Sequence, residues 1–205
     1  MPPYLLTVLR KEEGTGIPEK LEECGGSSSS SSGLEKLTEK AIQLKLPEGW
    51  KVGQATGCNN NCLVDSLLQL LHPDMEEAAR EEQARICRTA LVGESRCKPH
   101  EFLGAAHIPR LLLLLGVSPE EITVFIVGFA ELEKKIAPER IGSSTRQLLV
   151  LANVSRHMHF APVHIHADAR VEESLQVVGA LQDVNERAVA LDSLFADLLG
   201  YSRGG

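Results

Sequence analysis

The chain has no excess of basic charge: 21 Lys and Arg stand against 28 Asp and Glu, a formal net charge of -7 at pH 7. Nucleic-acid binding, which needs a cationic face to neutralise phosphates, is therefore not expected. A neutral or basic protein partner suits such a surface better. Long hydrophobic runs are missing too. The longest, such as residues 111–115, fall far short of the roughly 20 apolar residues of a membrane span, so no membrane association is expected. The N-terminus has no basic stretch ahead of an apolar one and does not read as a signal peptide. Nor is there an even set of cysteines. The five present (Cys24, Cys58, Cys62, Cys87, Cys97) leave at least one thiol free, which suits a reducing compartment. The expected location is cytoplasmic, or the host cytosol for a secreted effector. No internal repeat is visible.

What is present is ordinary globular material, 43% hydrophobic and 24% charged, enough in 205 residues for one full core. Residues 1–33 form an N-terminal segment: an apolar patch (Tyr4, Leu5, Leu6, Val8, Leu9), then charges, then a Gly/Ser tract over 25–33 that reads as flexible coil. The folded domain is expected over 34–205. Leu34, Leu37, Ala41 and Leu44 recur at helical spacing ahead of Pro47 and Gly49, and residues 50–55 read as a strand with Trp50 and Val52 on one face. From Cys62 the pattern turns helical, with Leu63, Leu67, Leu70 and Leu71 as a buried stripe stopped by Pro73. A charged surface helix follows over 76–91 and a buried one over 110–115 after Pro109. Residues 122–127, 147–151 and 159–165 are expected strands, and 171–198 one long amphipathic helix. The fold class that results is α+β, a small, mostly antiparallel sheet packed between helices.

The stretch Thr56-Gly57-Cys58-Asn59-Asn60-Asn61-Cys62-Leu63 is a turn that feeds directly into a helix beginning with a cysteine. Unpaired N–H groups and the helix dipole at such a start stabilise a thiolate, so a lowered thiol pKa is expected at Cys62. The N–H groups of Asn59, Asn60 and Asn61 are candidates to hold a developing oxyanion. Cys62, Asp65, Ser66 and Gln69 share one polar arc, which should turn the thiol toward a cleft. The plainer alternative is a small buried residue, the commonest fate of a free cysteine.

A nucleophilic thiol needs an imidazole from elsewhere in the chain. His157, His159, His164 and His166 are the candidates, and strand alternation pairs the first two on one face and the last two on the other. One flat strand cannot gather all four around a metal, and Cys58 with Cys62 has no matching second pair, so neither metal nor cofactor is implied.

Asn59-Asn60-Asn61-Cys62-Leu63-Val64-Asp65-Ser66-Leu67 resembles the cysteine box of the ovarian tumour (OTU) family of cysteine proteases, Asp-Gly-Asn-Cys-Leu-Phe followed by a helix. Leu148-Leu149-Val150-Leu151, a turn and His159-Phe160-Ala161-Pro162-Val163 resemble its histidine box, a strand, a turn and His-aromatic-x-x-Val. The likeness covers roughly residues 46–165. It implies a papain-type cysteine protease fold and cleavage of isopeptide bonds at the C-terminus of ubiquitin or a ubiquitin-like protein, with Cys62 as nucleophile and His159 as general base. Two positions depart from the pattern. Asn59 stands for the box's Asp, and Ala161 stands where many members carry the Asp or Asn that orients the imidazole. Asn153 is one candidate for that role, expected to face His159 across the hairpin; Glu48 and a bare Cys-His dyad are the others.

Gln54, shortly before Cys62, is a weaker oxyanion candidate, and Trp50 reads as a core anchor. Alternatives to the deubiquitinase remain: a papain-like protease or acyl transferase of another family, or an inactive OTU-like module that binds ubiquitin without cutting it. The oligomeric state is left open.

Overall fold

The computed structural model describes residues 33–56, 58–154, 159–165 and 169–201. The N-terminal segment up to residue 32, and with it Cys24, lies outside the described residues, as do His157 and His166. The architecture is α+β. Helix α1 (Gly33–Gln43) leads to strand β1 (Lys51–Val52). Helices α2 (Cys62–Leu71), α3 (Glu77–Gly93) and α4 (Ile108–Leu114) precede strand β2 (Ile122–Gly128). Helix α5 (Phe129–Lys134) and strands β3 (Glu139–Ile141), β4 (Gln147–Asn153) and β5 (Phe160–His164) follow, and helices α6 (Ala169–Gly179) and α7 (Val184–Leu198) close the chain. The sheet runs β1-β5-β4-β2-β3. It is mixed: β2 and β4 are parallel, while β1 with β5, β5 with β4 and β2 with β3 are antiparallel.

Strand β2 is buried along its whole length, which its uninterrupted Ile122-Thr123-Val124-Phe125-Ile126-Val127 run requires of a central strand covered on both faces. Alternation divides the sheet between two cores. Val124, Ile126, Leu149, Leu151 and Phe160 meet Leu63, Val64, Leu67 and Leu68 of α2 on one side, with α3 and α4 behind them. Phe125, Val127, Val150, Ala152, Ala161 and Val163 meet Ile42, Trp50, Leu191 and Phe195 on the other. Each fully buried Val, Leu, Ile or Phe among them contributes about 1.5–3 kcal/mol. Phe125 and Phe195 stack with centroids 3.9 Å apart and pin α7 to the sheet, and Trp50 anchors the same core from 5.7 Å.

Three expectations need correcting. The C-terminal stretch is two helices, because α6 ends at Gly179 and Asp183 caps α7 by accepting from the N–H groups of Asn185 and Glu186. Helix α1 buries Ile42 and leaves Leu37 at 67% exposure, and Leu44, just past its end, is 78% exposed, so the inward stripe is not the expected one. Its end is fixed by Gln43, whose side chain donates to the Trp50 carbonyl and accepts from Val52 N–H, both at 2.7 Å. Strand β1 spans two residues only, and Gln54 lies beyond it, exposed.

Candidate active site

The turn before α2 is left-handed. Asn59 (φ 53°, ψ 33°) and Asn60 (φ 59°) occupy a region that asparagine tolerates better than other side chains, at a cost of about 1–2 kcal/mol per residue for an ordinary L-residue. Asn61 (φ -93°, ψ 9°) then brings the chain back to the right-handed side and into the helix, with no side-chain cap of its own. Changes of hand of this kind turn successive N–H groups toward one concavity.

The turn is held from α3. Arg88, 7% exposed, donates from Nε to Asn61 Oδ1 at 2.6 Å and from Nη2 to the Asn60 carbonyl at 2.8 Å. Its Nη1 donates to the carbonyls of Glu101 at 2.9 Å and Pro99 at 3.3 Å, and Asn60 Nδ2 donates to the His100 carbonyl at 2.8 Å. Arg88 was hidden in a helix that reads as a charged surface. Its spacing from Ala84, Cys87 and Leu91, all buried on the inner side of α3, was the available signal.

Cys62 is 2% exposed, so it does not face an open cleft as the polar arc suggested. That arc is spent on the protein itself. Ser66 Oγ donates to the Phe160 carbonyl at 3.1 Å. The Asp65 carboxylate, 1% exposed, accepts from Thr56 N–H at 2.9 Å, from Gln69 Nε2 at 2.8 Å and from Arg80 Nε at 2.8 Å. Gln69 also donates to the Gln54 carbonyl at 2.7 Å. Polar residues on an arc reveal a need for partners; here the partners come from distant chain in place of water.

Burial pushes the Cys62 thiol above its ordinary value, the opposite of the lowered pKa expected at a helix start. Loss of hydration is the largest influence. It is opposed by the backbone N–H groups of Phe160, Leu63 and Cys62 itself, then by the charge of Arg88. The Phe160 N–H lies 3.5 Å from Sγ. That N–H belongs to the peptide joining His159 to Phe160, so the turn carrying the cysteine and the start of β5, 98 positions apart, meet at the sulfur.

His159 is half-buried and stands just before β5; its carbonyl accepts from Val154 N–H at 2.9 Å. Asn153 pairs with Phe160, one residue from the expected register with His159. The Val154 to His159 bond continues the same register one pair past the end of β4, so His159 lies opposite Val154. Asn153 therefore shares a face with Leu149, Leu151 and Phe160, the face that packs on α2 and its cysteine. Its Oδ1 is buried without a hydrogen-bond partner. Ala161 packs into the opposite core, and His159 stands just outside the strand on the side that continued alternation gives to Ala161. His164, expected to face away from Cys62, is on Phe160's side of β5, exposed and at the strand's far end. Glu48 is exposed in the turn between α1 and β1.

Among the described residues, no group of three or more His, Cys, Asp or Glu side chains is placed to hold a metal ion, and no helix is long and apolar enough to cross a membrane. Comparisons with protein-family models, with curated proteins and with solved structures return no match for this chain.

Proposed function

We propose that this chain is a cysteine-dependent isopeptidase of the OTU type, which removes ubiquitin or a ubiquitin-like modifier. The observation that carries the reading is the Phe160 N–H to Cys62 Sγ contact, since it joins the two segments that resemble the family's cysteine and histidine boxes. Burial keeps the resting thiol protonated at neutral pH, so attack requires a base. His159 takes the Sγ proton as sulfur bonds to the carbonyl carbon after a Gly-Gly tail. The tetrahedral oxyanion sits against the N–H groups of the 59–62 turn. As the C–N bond breaks, His159 returns the proton to the departing lysine amine; water, deprotonated by the same imidazole, then adds to the thioester carbonyl, the C–S bond breaks, and the proton returns to the departing Cys62 sulfur, leaving a free carboxylate.

The burial of Cys62 favours a second reading, an OTU-like module that binds ubiquitin without cleaving it. A ubiquitin probe with an electrophilic C-terminus distinguishes the two. The expected result is a covalent adduct mapped to the peptide containing Cys62. Non-covalent binding alone would select the second reading, and an absence of any binding would remove both.

A further inference from the structure

Arg88 lies outside the pair of residues that would do the chemistry, yet it is the most heavily committed cation near them. It sits on α3, whose exposed face carries its charges to water, and it alone among the helix's arginines is buried. Its guanidinium donates to the carbonyl oxygens of Asn60, Pro99 and Glu101 and to Asn61 Oδ1. These acceptors belong to two segments, the 59–61 turn and the 99–101 stretch, and both converge beside the first turn of α2. A lysine carries its three N–H groups on one nitrogen and an amide offers two, whereas the planar fork of an arginine spreads five over three nitrogens and reaches several carbonyls at once. The acceptors are neutral, so the charge brought inside is not cancelled by these contacts. Cys62, Cys97 and Glu101 are the ionisable groups that feel it.

We infer that Arg88 is the positioning residue of the candidate site: it fixes the left-handed Asn59-Asn60 turn through Asn60 and Asn61, and so sets where the N–H groups ahead of Cys62 point. The inference rests on the isopeptidase reading for its catalytic meaning, but not for its effect on the thiol. Two consecutive left-handed residues persist only when their surroundings over-determine them, and here the clamp does so. The same guanidinium favours the ionised sulfur. Arg88 touches no reacting atom in the proposed reaction; it acts through the turn and through its charge.

Three variants of the full chain test this: Arg88→Met, Arg88→Lys and Asn61→Ala. Two readouts are taken on each: the pH profile of Cys62 alkylation by iodoacetamide, followed by mass spectrometry of the Cys62 peptide, and the rate of capture by the electrophilic ubiquitin probe. Arg88→Met is expected to slow capture by on the order of 10-fold and to displace the alkylation profile to higher pH. Arg88→Lys keeps the charge and loses the fork, so its alkylation profile is restored while capture stays slow. Asn61→Ala keeps the cation and removes one clamped acceptor, and it gives the same split. It also keeps the proposal falsifiable if Arg88→Met does not fold. A merely structural arginine would lower the melting temperature and leave the profile of the folded fraction where it was. Wild-type profiles and capture in a folded Arg88 variant overturn the inference. If Asn61→Ala, the only folded variant, captures the probe at the wild-type rate, the inference is overturned as well. Wild-type protein that alkylates in an Arg88-dependent way yet never captures ubiquitin overturns the isopeptidase reading and leaves the role of Arg88 standing.

Discussion

Among the described residues, two cysteines are equally hidden and chemically unlike. Cys62 opens α2 at 2% exposure, and Cys87 sits in the middle of α3 at 1%. Burial strips water from both and raises both thiols. At Cys87 the rise reaches about 11, opposed only by a hydrogen bond with the Gln83 side chain one turn earlier. At Cys62 three backbone N–H groups and the charge of Arg88 push back. The first of these donors, the Phe160 N–H, comes from β5, and the other two, those of Leu63 and Cys62, come from position along a helix. The first turn has N–H groups with no carbonyl to bond, whereas those in mid-helix are already used by the ladder. Burial alone therefore does not separate an inert thiol from a candidate nucleophile; the donors that face the sulfur do.

The largest expected effect breaks the comparison outright. Cys62→Ala should abolish turnover of a fluorogenic ubiquitin substrate and capture of the electrophilic probe, while Cys87→Ala leaves both at wild-type rates. Equal activity in the two variants would refute the assignment. His159→Ala should follow, slower by about 10²- to 10⁴-fold, the usual contribution of a positioned base.

Next comes the polar frame around Cys62. Asp65 is a buried carboxylate with three donors, one of them Arg80. Asp65→Ala leaves the half-buried Arg80 and the Thr56 N–H without their acceptor, and unfolding in urea should show a loss of about 3–5 kcal/mol. Gln83→Ala, the corresponding cut beside Cys87, should cost about 1 kcal/mol or less. A similar cost at the two positions would mean that the frame around Cys62 is no more committed than ordinary packing.

The alkaline limb of stability separates the thiols again. A thiol raised by burial binds its proton more tightly folded than unfolded. Its contribution is thus complete below the ordinary thiol range and is lost as pH climbs toward the folded value. For Cys87 the window runs from about 9 to about 11, and two units correspond to about 2–3 kcal/mol. Chemical denaturation at a series of pH values should show this loss in the wild type and a shallower slope in Cys87→Ala. Part of the slope remains, because Cys62 and Tyr201 are raised by burial as well. An unchanged slope would show that Cys87 does not carry it.

The strands 122–127, 147–151 and 159–165 were legible because a β-branched or aliphatic run bounded by turn residues has few other homes. Strand β3 spans three residues and offers no periodicity to read, while β1 was read over 50–55 and pairs over two residues only. The break between α6 and α7 was written in Gly179 and Asp183, but an apolar spacing that continued across them concealed it. At the site, the helix start at Cys62 was legible and the direction of its polar arc was not. Whether Asp65 and Ser66 turn to water or inward depends on Arg80, 15 positions away, and on the Phe160 carbonyl, 94 positions away. Sequence spacing on one helix holds no record of such partners. Arg88 escaped notice for the same reason, since what distinguishes it is the backbone it grips.

The smallest expected effect lies at Asn153, where the ladder both removes an argument and supplies another. Asn153 is paired with Phe160, so it and His159 are not cross-strand partners. Instead it ends β4 opposite Phe160 and beside Gly128 of the parallel strand β2, on the face toward α2. There its Oδ1 is buried with no partner. An unpaired buried acceptor costs about 1–3 kcal/mol, so removing it without a role should be neutral or stabilising. If Oδ1 accepts from the imidazole during turnover, the same removal should slow the reaction. The expected outcome for Asn153→Ala is therefore a split: turnover down by about 10-fold, with stability in urea unchanged or raised by about 1 kcal/mol. Asn153→Asp, which keeps the acceptor and adds charge, should recover most of the rate. A variant that is more stable and fully active would make Asn153 an unsatisfied remnant and leave Cys62 and His159 to work as a dyad.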